Sequence, residues 1–225
     1  RQRQMCIRDS DDSLELNIAA FMTDYDDLQV SQFDGTLGFT VGNAPETEVS
    51  GIEVDGRWAI SDNTLLSFSI ATLDHEFKYF PAGNCYNRQV PDGAVVNGVA
   101  LCDYTGKTGR LAPEISAFLS LKQTFPLSGG LLLAAMVDVS YEDEQNAHTN
   151  LDPKFTVDEI TRVNVGLSLE SENWELALLM RNITDEQQQG FVANVPLSGS
   201  SFGTNTFYSV LSRPKEIFLQ ASYRF

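Results

Sequence analysis

The chain has 225 residues, 42% of them apolar, and a formal charge of −16 from 15 Lys and Arg against 31 Asp and Glu. Its cations are scattered, which excludes a basic nucleic-acid footprint and a polybasic run for anionic lipid. No stretch approaches the roughly 18 apolar residues of a membrane helix; the longest apolar run, Leu131 to Val137, is far too short, so any membrane crossing is made by strands. The chain opens on Arg1 without a charged-then-apolar leader. The expectation is a piece of a longer protein, in which residues 1–13 are a doubtful N-terminal segment and a candidate artefact of cloning or assembly.

Taken in order, eight segments alternate apolar and polar residues with the period of two that defines a strand with two unlike faces. Residues 14–24 carry Leu14, Leu16, Ile18, Ala20 and Met22 on one side, and a polar connection is expected from there through Asn43. Residues 47–60 set Ile52, Val54, Trp58 and Ile60 against Glu53, Asp55 and Arg57. Three charges on one face require water or one another. After the turn at residues 61–64, residues 65–79 alternate on Leu66, Phe68 and Ile70. Residues 81–112 read as a long irregular loop, and residues 113–125 return on Ile115, Ala117, Leu119 and Leu121, with Phe118 as the exception on the polar side. A short turn at 126–130 leads to residues 131–142, a polar loop to 143–158, and a strand to 161–170. Residues 171–173 turn the chain into 174–182, carried by Trp174, Leu176, Leu178 and Met180. A second long loop, residues 183–214, precedes the last strand.

That last strand, residues 215–225, places Ile217, Leu219, Ala221, Tyr223 and Phe225 on one face and stops on an aromatic residue. An unpaired apolar edge in water invites aggregation, whereas a membrane barrel requires lipid-facing apolar residues and interfacial aromatics. The connections run long, short, long, short, long, short, long. In an up-and-down sheet every long loop then lies at one end and every short turn at the other, as in outer-membrane barrels. A soluble β-sandwich explains the alternation alone, but not the long strands, the loop asymmetry and the terminal Phe together. The fold class expected is all-β, an antiparallel up-and-down transmembrane β-barrel segment. Cys85 and Cys102 share one loop and are a candidate disulfide of an oxidising compartment, worth on the order of 3 kcal/mol by loop closure.

Several segments together resemble TonB-dependent outer-membrane receptors. Residues 174–186 are similar to the family's penultimate strand and its closing Arg-Asn-Leu-Thr-Asp, here Arg181, Asn182, Ile183, Thr184 and Asp185. Arg213-Pro214 and the run to Tyr223-Arg224-Phe225 resemble the closing segment. Leu16 to Gln29, Asn43-Ala44 with Gly51-Ile52-Glu53, Gly106-Lys107 and Ala112-Pro113 fit the same pattern, so that the resemblance covers residues 14–225. It implies that the chain holds about eight C-terminal strands of a 22-stranded barrel around a plug domain that lies outside it. It also implies import of a scarce nutrient (a siderophore, cobalamin, haem or an oligosaccharide) across the outer membrane of a Gram-negative bacterium. The implied partners are that nutrient, membrane lipid, the TonB energy-transducing complex acting through the plug, and the barrel-assembly machinery, which reads Ile217, Leu219, Tyr223 and Phe225; nucleic acid is not among them.

Little else carries chemistry. His75 and His148 are the only histidines, and with the cysteines they lack zinc-site spacing. Gly35, Gly38 and Gly42 form no phosphate loop. No serine sits in a nucleophile elbow, so neither catalytic residues nor a cofactor nor a metal is expected. The polar-face charges Glu53, Asp55, Arg57, Lys122, Asp138, Arg162 and Arg181 read as a solvated barrel wall or as ligand contacts. Phe80, Tyr86, Tyr104, Phe191, Phe202, Phe207 and Tyr208 read as ligand contacts or loop packing. Two readings outside the receptor family stay open here: a self-contained eight-stranded barrel serving as an anchor or adhesin, and a soluble sandwich that binds a partner.

Overall fold

A computed structural model describes residues 2–8, 13–33, 39–96, 98–195, 198 and 206–225. One antiparallel sheet runs through nine strands in strict chain order. They are β1 (Gln2–Arg8), β2 (Leu14–Phe33), β3 (Phe39–Ser61), β4 (Thr64–Tyr79), β5 (Ile115–Pro126), β6 (Leu132–Glu142), β7 (Ile160–Glu170), β8 (Trp174–Arg181) and β9 (Glu216–Tyr223). Short turns at 62–63, 127–131 and 171–173 lie at one end, and the long connections lie at the other. Among the described residues the sheet is open, with β1 and β9 at its edges.

Register decides what the faces are. One hydrogen-bonded row reads Leu14, Trp58, Leu66, Leu121, Val137, Val165, Met180 and Ile217 from β2 to β9. The next row reads Glu15, Arg57, Ser67, Ser120, Asp138 and Asn164. A single step along each strand changes an entirely apolar row into an entirely polar one, as the pleat requires. The apolar row begins at the short-turn end of β2 and finishes at the loop end of β9. Strands staggered in this way tilt against a barrel axis.

The apolar face is not a core. Ile217 is 62% exposed and Leu219 74%, which suits a wall whose solvent is lipid. Two glycines in β3 let rings lie against the sheet, Gly51 on the polar face and Gly56 on the apolar one. A Cβ on Gly51 would stand 2.8 Å from the tip of the Phe21 ring, and one on Gly56 would stand 2.6 Å from that of Phe68, so each aromatic covers bare backbone.

Three expectations change. The connection expected from residue 25 through Asn43 is instead ladder over residues 25–33 and 39–43, with Tyr25 opposite Thr47, Leu28 opposite Ala44 and Phe33 opposite Phe39. β3 has 23 residues; at ~3.3 Å each it rises far past the ~25 Å apolar band. Above the band both faces meet water, so pairing persists where alternation fades. At Pro45, which has no N–H to donate, the register skips Asp27, whose φ is +55°. Second, the segment set apart at residues 1–13 contributes backbone pairing, Gln2 opposite Phe21 through Arg8 opposite Glu15. Third, the loops contain short ladders of their own, Gln145–Asn146 with Thr156–Val157 and Gln189–Asn194 with Phe207–Leu211. Gly35, Gly38, Phe202 and the side chain of Cys6 lie outside the described residues.

Candidate binding surfaces on the polar face and in the loop layer

The polar face carries the charges picked out in the sequence. Asn17 Nδ2 donates to Asp55 Oδ2 at 3.0 Å, Arg162 lies 4.0 Å from Glu142, and the Arg181 guanidinium sits 5.3 Å from the centre of the Phe218 ring. Exposed pairs like these contribute little stability; they make a wettable wall. Toward β9 the wall holds an open concavity of about 370 Å³ lined by Lys122, Met136, Gly166, Leu179, Arg181 and Phe218. Phe118 stands on the polar side, opposite Ser69 and Ser140.

Real burial is found above the wall, in the loops. Cys85 and Cys102 are disulfide-bonded, with Cα atoms 5.1 Å apart. Cys102 belongs to a cluster with Ala44, Phe77, Phe80 and Tyr104, against which Leu28 and Leu151 also pack. The Phe80 ring meets Phe77 at 5.2 Å and Tyr104 at 5.3 Å, both edge-on. The Tyr104 hydroxyl donates to the Asn84 carbonyl, and burial pushes the phenol's pKa up. Phe80 and Tyr104, two of the aromatics open to ligand contact in the sequence, are thus consumed by packing. The segment after the cluster runs along the upper edge of β4, where Phe77 N–H donates to the Lys107 carbonyl at 3.0 Å and Gly109 N–H donates to His75 Nδ1 at 3.0 Å.

A second cluster joins the loop of residues 143–159 to the hairpin in residues 189–211. Ala147, Phe155, Val157 and Val192 are buried, and Phe207 packs on them. His148, 2% exposed, sits at the joint. Its ring stacks on Phe155 at 5.3 Å and meets Phe207 edge-on at 6.0 Å. Nε2 lies 3.2 Å from Asn194 Oδ1, and Nδ1 accepts the Asn150 N–H at 3.2 Å. Burial holds the imidazole's pKa below its ordinary value. In the sequence His148 is weighed only as a metal ligand; its structural place depends on a partner 46 residues away. Outside both clusters the exposed Arg110 lies 5.6 Å over the Phe191 ring, which in turn stands 6.1 Å from the half-exposed Tyr208.

The motif of residues 181–185 is a latch at the foot of the last loop. Asn182, 4% exposed with φ +48°, takes a left-handed conformation that Asn tolerates. Its Nδ2 donates to the carbonyls of Glu186 at 2.8 Å and Arg213 at 3.1 Å. Its Oδ1 accepts from the Glu186 N–H at 3.0 Å and the Thr184 hydroxyl at 3.4 Å. Asp185 Oδ1 accepts the Lys215 N–H at 2.8 Å. The two ends of a long loop are thereby fastened beside each other at the start of β9. Along and just beyond β9, Ile217, Leu219, Tyr223 and Phe225 are exposed, the last two as an edge-on pair at 5.2 Å. Among the described residues no group of three or more His, Cys, Asp or Glu is placed to hold a metal.

Residues 8–183 match the family described as TonB dependent receptor-like, beta-barrel. No curated protein matches the sequence. Among solved structures, the ferric yersiniabactin uptake receptor FyuA from Yersinia pestis is similar to the whole chain, with a TM-score of 0.72 and 14% identity. The siderophore receptor PiuA from Acinetobacter baumannii matches over 99% of the chain at 0.67 and 18%, and the ferric preacinetobactin receptor BauA from the same species over 99% at 0.63 and 16%. The chain spans 29%, 28% and 29% of those proteins, under a third of each. At such identities the likeness establishes the fold, and the family match adds the lineage. This chain belongs to the TonB-dependent receptors, transporters rather than enzymes, whose β-barrels reside in the outer membrane of Gram-negative bacteria.

Proposed function

We propose that residues 14–225 are the C-terminal part of the barrel of a receptor that imports a scarce nutrient across the outer membrane. The observation that carries this is the family match over residues 8–183 on a sheet with one apolar and one polar face. The polar row from Glu15 to Asn164 then lines the passage, and the loop layer, tied by Cys85–Cys102, forms part of its mouth. The contiguous Arg110, Phe191 and Tyr208 support ligand contact from the loops. The plug and the segment that engages TonB belong to the remainder of the receptor. A self-contained small barrel is disfavoured by the same match. A sandwich is disfavoured because, among the described residues, no second sheet covers the apolar face.

Ferric siderophores are the first ligand class to test, since the similar structures named above include siderophore receptors; cobalamin, haem and oligosaccharides follow. Growth of a strain lacking the complete receptor gene is compared with its parent on each nutrient as the limiting source. A growth defect on one of them, restored by the intact gene and not by a gene lacking the TonB-engaging segment, is the expected result. Unimpaired growth on every class would remove the import reading.

The exposed pair Tyr223 and Phe225 is proposed to be what the assembly machinery reads. Deleting Phe225 should lower the amount of folded receptor in the outer membrane severalfold, as quantified by protease-resistant barrel in membrane fractions. The receptor that does assemble should take up its nutrient normally.

A further inference from the structure

Two long loops of the mouth meet at one buried imidazole, and that imidazole can be neutral in only one form. Nδ1 already accepts the Asn150 N–H at 3.2 Å, so the ring proton belongs on Nε2, facing Asn194 Oδ1 at 3.2 Å. A second proton can enter only at Nδ1, where it would point at the Asn150 N–H, donor against donor. The charge so formed would lie between the Phe155 and Phe207 rings, in a site 2% exposed. The charged groups facing this box are few. Lys154, from the loop that bears His148, stands 5.7 Å from the Phe155 ring centre and 5.5 Å from that of Phe207. Asp152 of the same loop and Arg110 of the preceding long loop also act on the ring. The hairpin brings Val192, Asn194 and Phe207, none of which ionises. Burial outweighs the side chains of Asn194 and Asn150 and the Asp152 carboxylate, all of which favour the charged ring, and the nearby cations add to the opposition.

We infer that His148 is an acid-sensitive latch between the loop of residues 143–159 and the hairpin in residues 189–211. Protonation at Nδ1 breaks the contact with Asn150 and expels the ring from its aromatic box. With it go the Val192 N–H to Ala147 carbonyl bond of 3.2 Å and the bridge between His148 and Val192. The sign follows from linkage. Burial lowers the folded-state pKa, so the unfolded loop binds more protons; the latch is fully stable above the ordinary histidine value of 6.5 and loses stability as pH falls below it toward the folded value. The mouth of the receptor therefore has a tighter arrangement at neutral pH and a looser one in acid. This depends on the loop geometry alone and stands whether or not the import reading does.

Hydrogen exchange of the complete receptor in micelles, corrected for the intrinsic pH dependence of exchange, provides the test. Between about pH 8 and about pH 5, protection of residues 145–157 and 189–211 should fall together by roughly tenfold or more. The disulfide-tied loop, residues 81–104, serves as the internal reference and should keep its protection. His148→Gln, which cannot ionise, should flatten the response, and His75→Gln should leave it intact. Imidazole nitrogen shifts of the wild-type receptor should show the Nε2–H form at neutral pH and a titration midpoint coincident with the loss of protection, a measurement that holds even if the glutamine variant loosens the loops at every pH. Unchanged protection, a response shared equally by residues 81–104, retention of the response in His148→Gln, or a mismatch of the two midpoints would each overturn the latch.

Discussion

The wall and the loop layer use the same apolar side chains in opposite ways. In the wall, Leu219 is 74% exposed; in the loop layer, Phe80 is 3% and Val192 1% exposed. The wall is held by backbone ladders and surrounded by lipid, so its side chains need a common face more than neighbours to interlock with. The loop layer stands in water with little regular structure, and builds small protein cores around a disulfide and a buried histidine. A residue's exposure in such a molecule is interpretable only after its solvent is known.

The sharpest way to break this contrast is to remove a loop-layer anchor. Phe80→Ala should cost about 3–5 kcal/mol within the layer, seen as protease sensitivity of residues 81–112 while the barrel stays intact. A loss of the whole barrel would mean that the layer and the wall are one cooperative unit. Next in size is a matched pair in the wall. Leu119→Arg, on the apolar face, should cost about 2–4 kcal/mol in refolding of the full receptor into phospholipid vesicles. Its neighbour Ser120→Arg, on the polar face opposite Asp138, should cost less than about 1 kcal/mol. Equal costs would contradict the sidedness of the sheet. A smaller loss than at Leu119 is expected at the boundary of the two regions. Asn182→Ala orphans the Glu186 N–H and the carbonyls of Glu186 and Arg213, for about 1–3 kcal/mol, read as faster exchange at residues 183–188 and 211–215 with β8 and β9 still paired.

The two regions also differed in how legible they were. Every wall strand from β2 to β9 was visible as an alternating segment, because a period of two is a local property and both faces have strong, opposite demands. The upper halves of β2 and β3 were missed for the complementary reason: above the band both faces meet water and the period disappears while the hydrogen bonds continue. The loop layer was opaque. Phe80 and Tyr104 looked no different from Phe191 and Tyr208, since nothing local distinguishes an aromatic that will be buried from one that will face out. Asn182 was legible as part of a motif, yet three of its four side-chain hydrogen bonds reach residues 186 and 213, outside that motif.

By itself the sequence determined the strand count from residue 14 onward, the sidedness of the sheet, the placing of long and short connections at opposite ends, and the kinship carried by residues 174–186 and 213–225. These follow from alternation, turn chemistry and motif order, all local. Only the tertiary structure decided which loops pack on which, that His148 joins two of them, and that Asn182 closes the last. Those facts rest on contacts between residues tens of positions apart, where the free energy depends on what the chain brings together and not on what stands beside it.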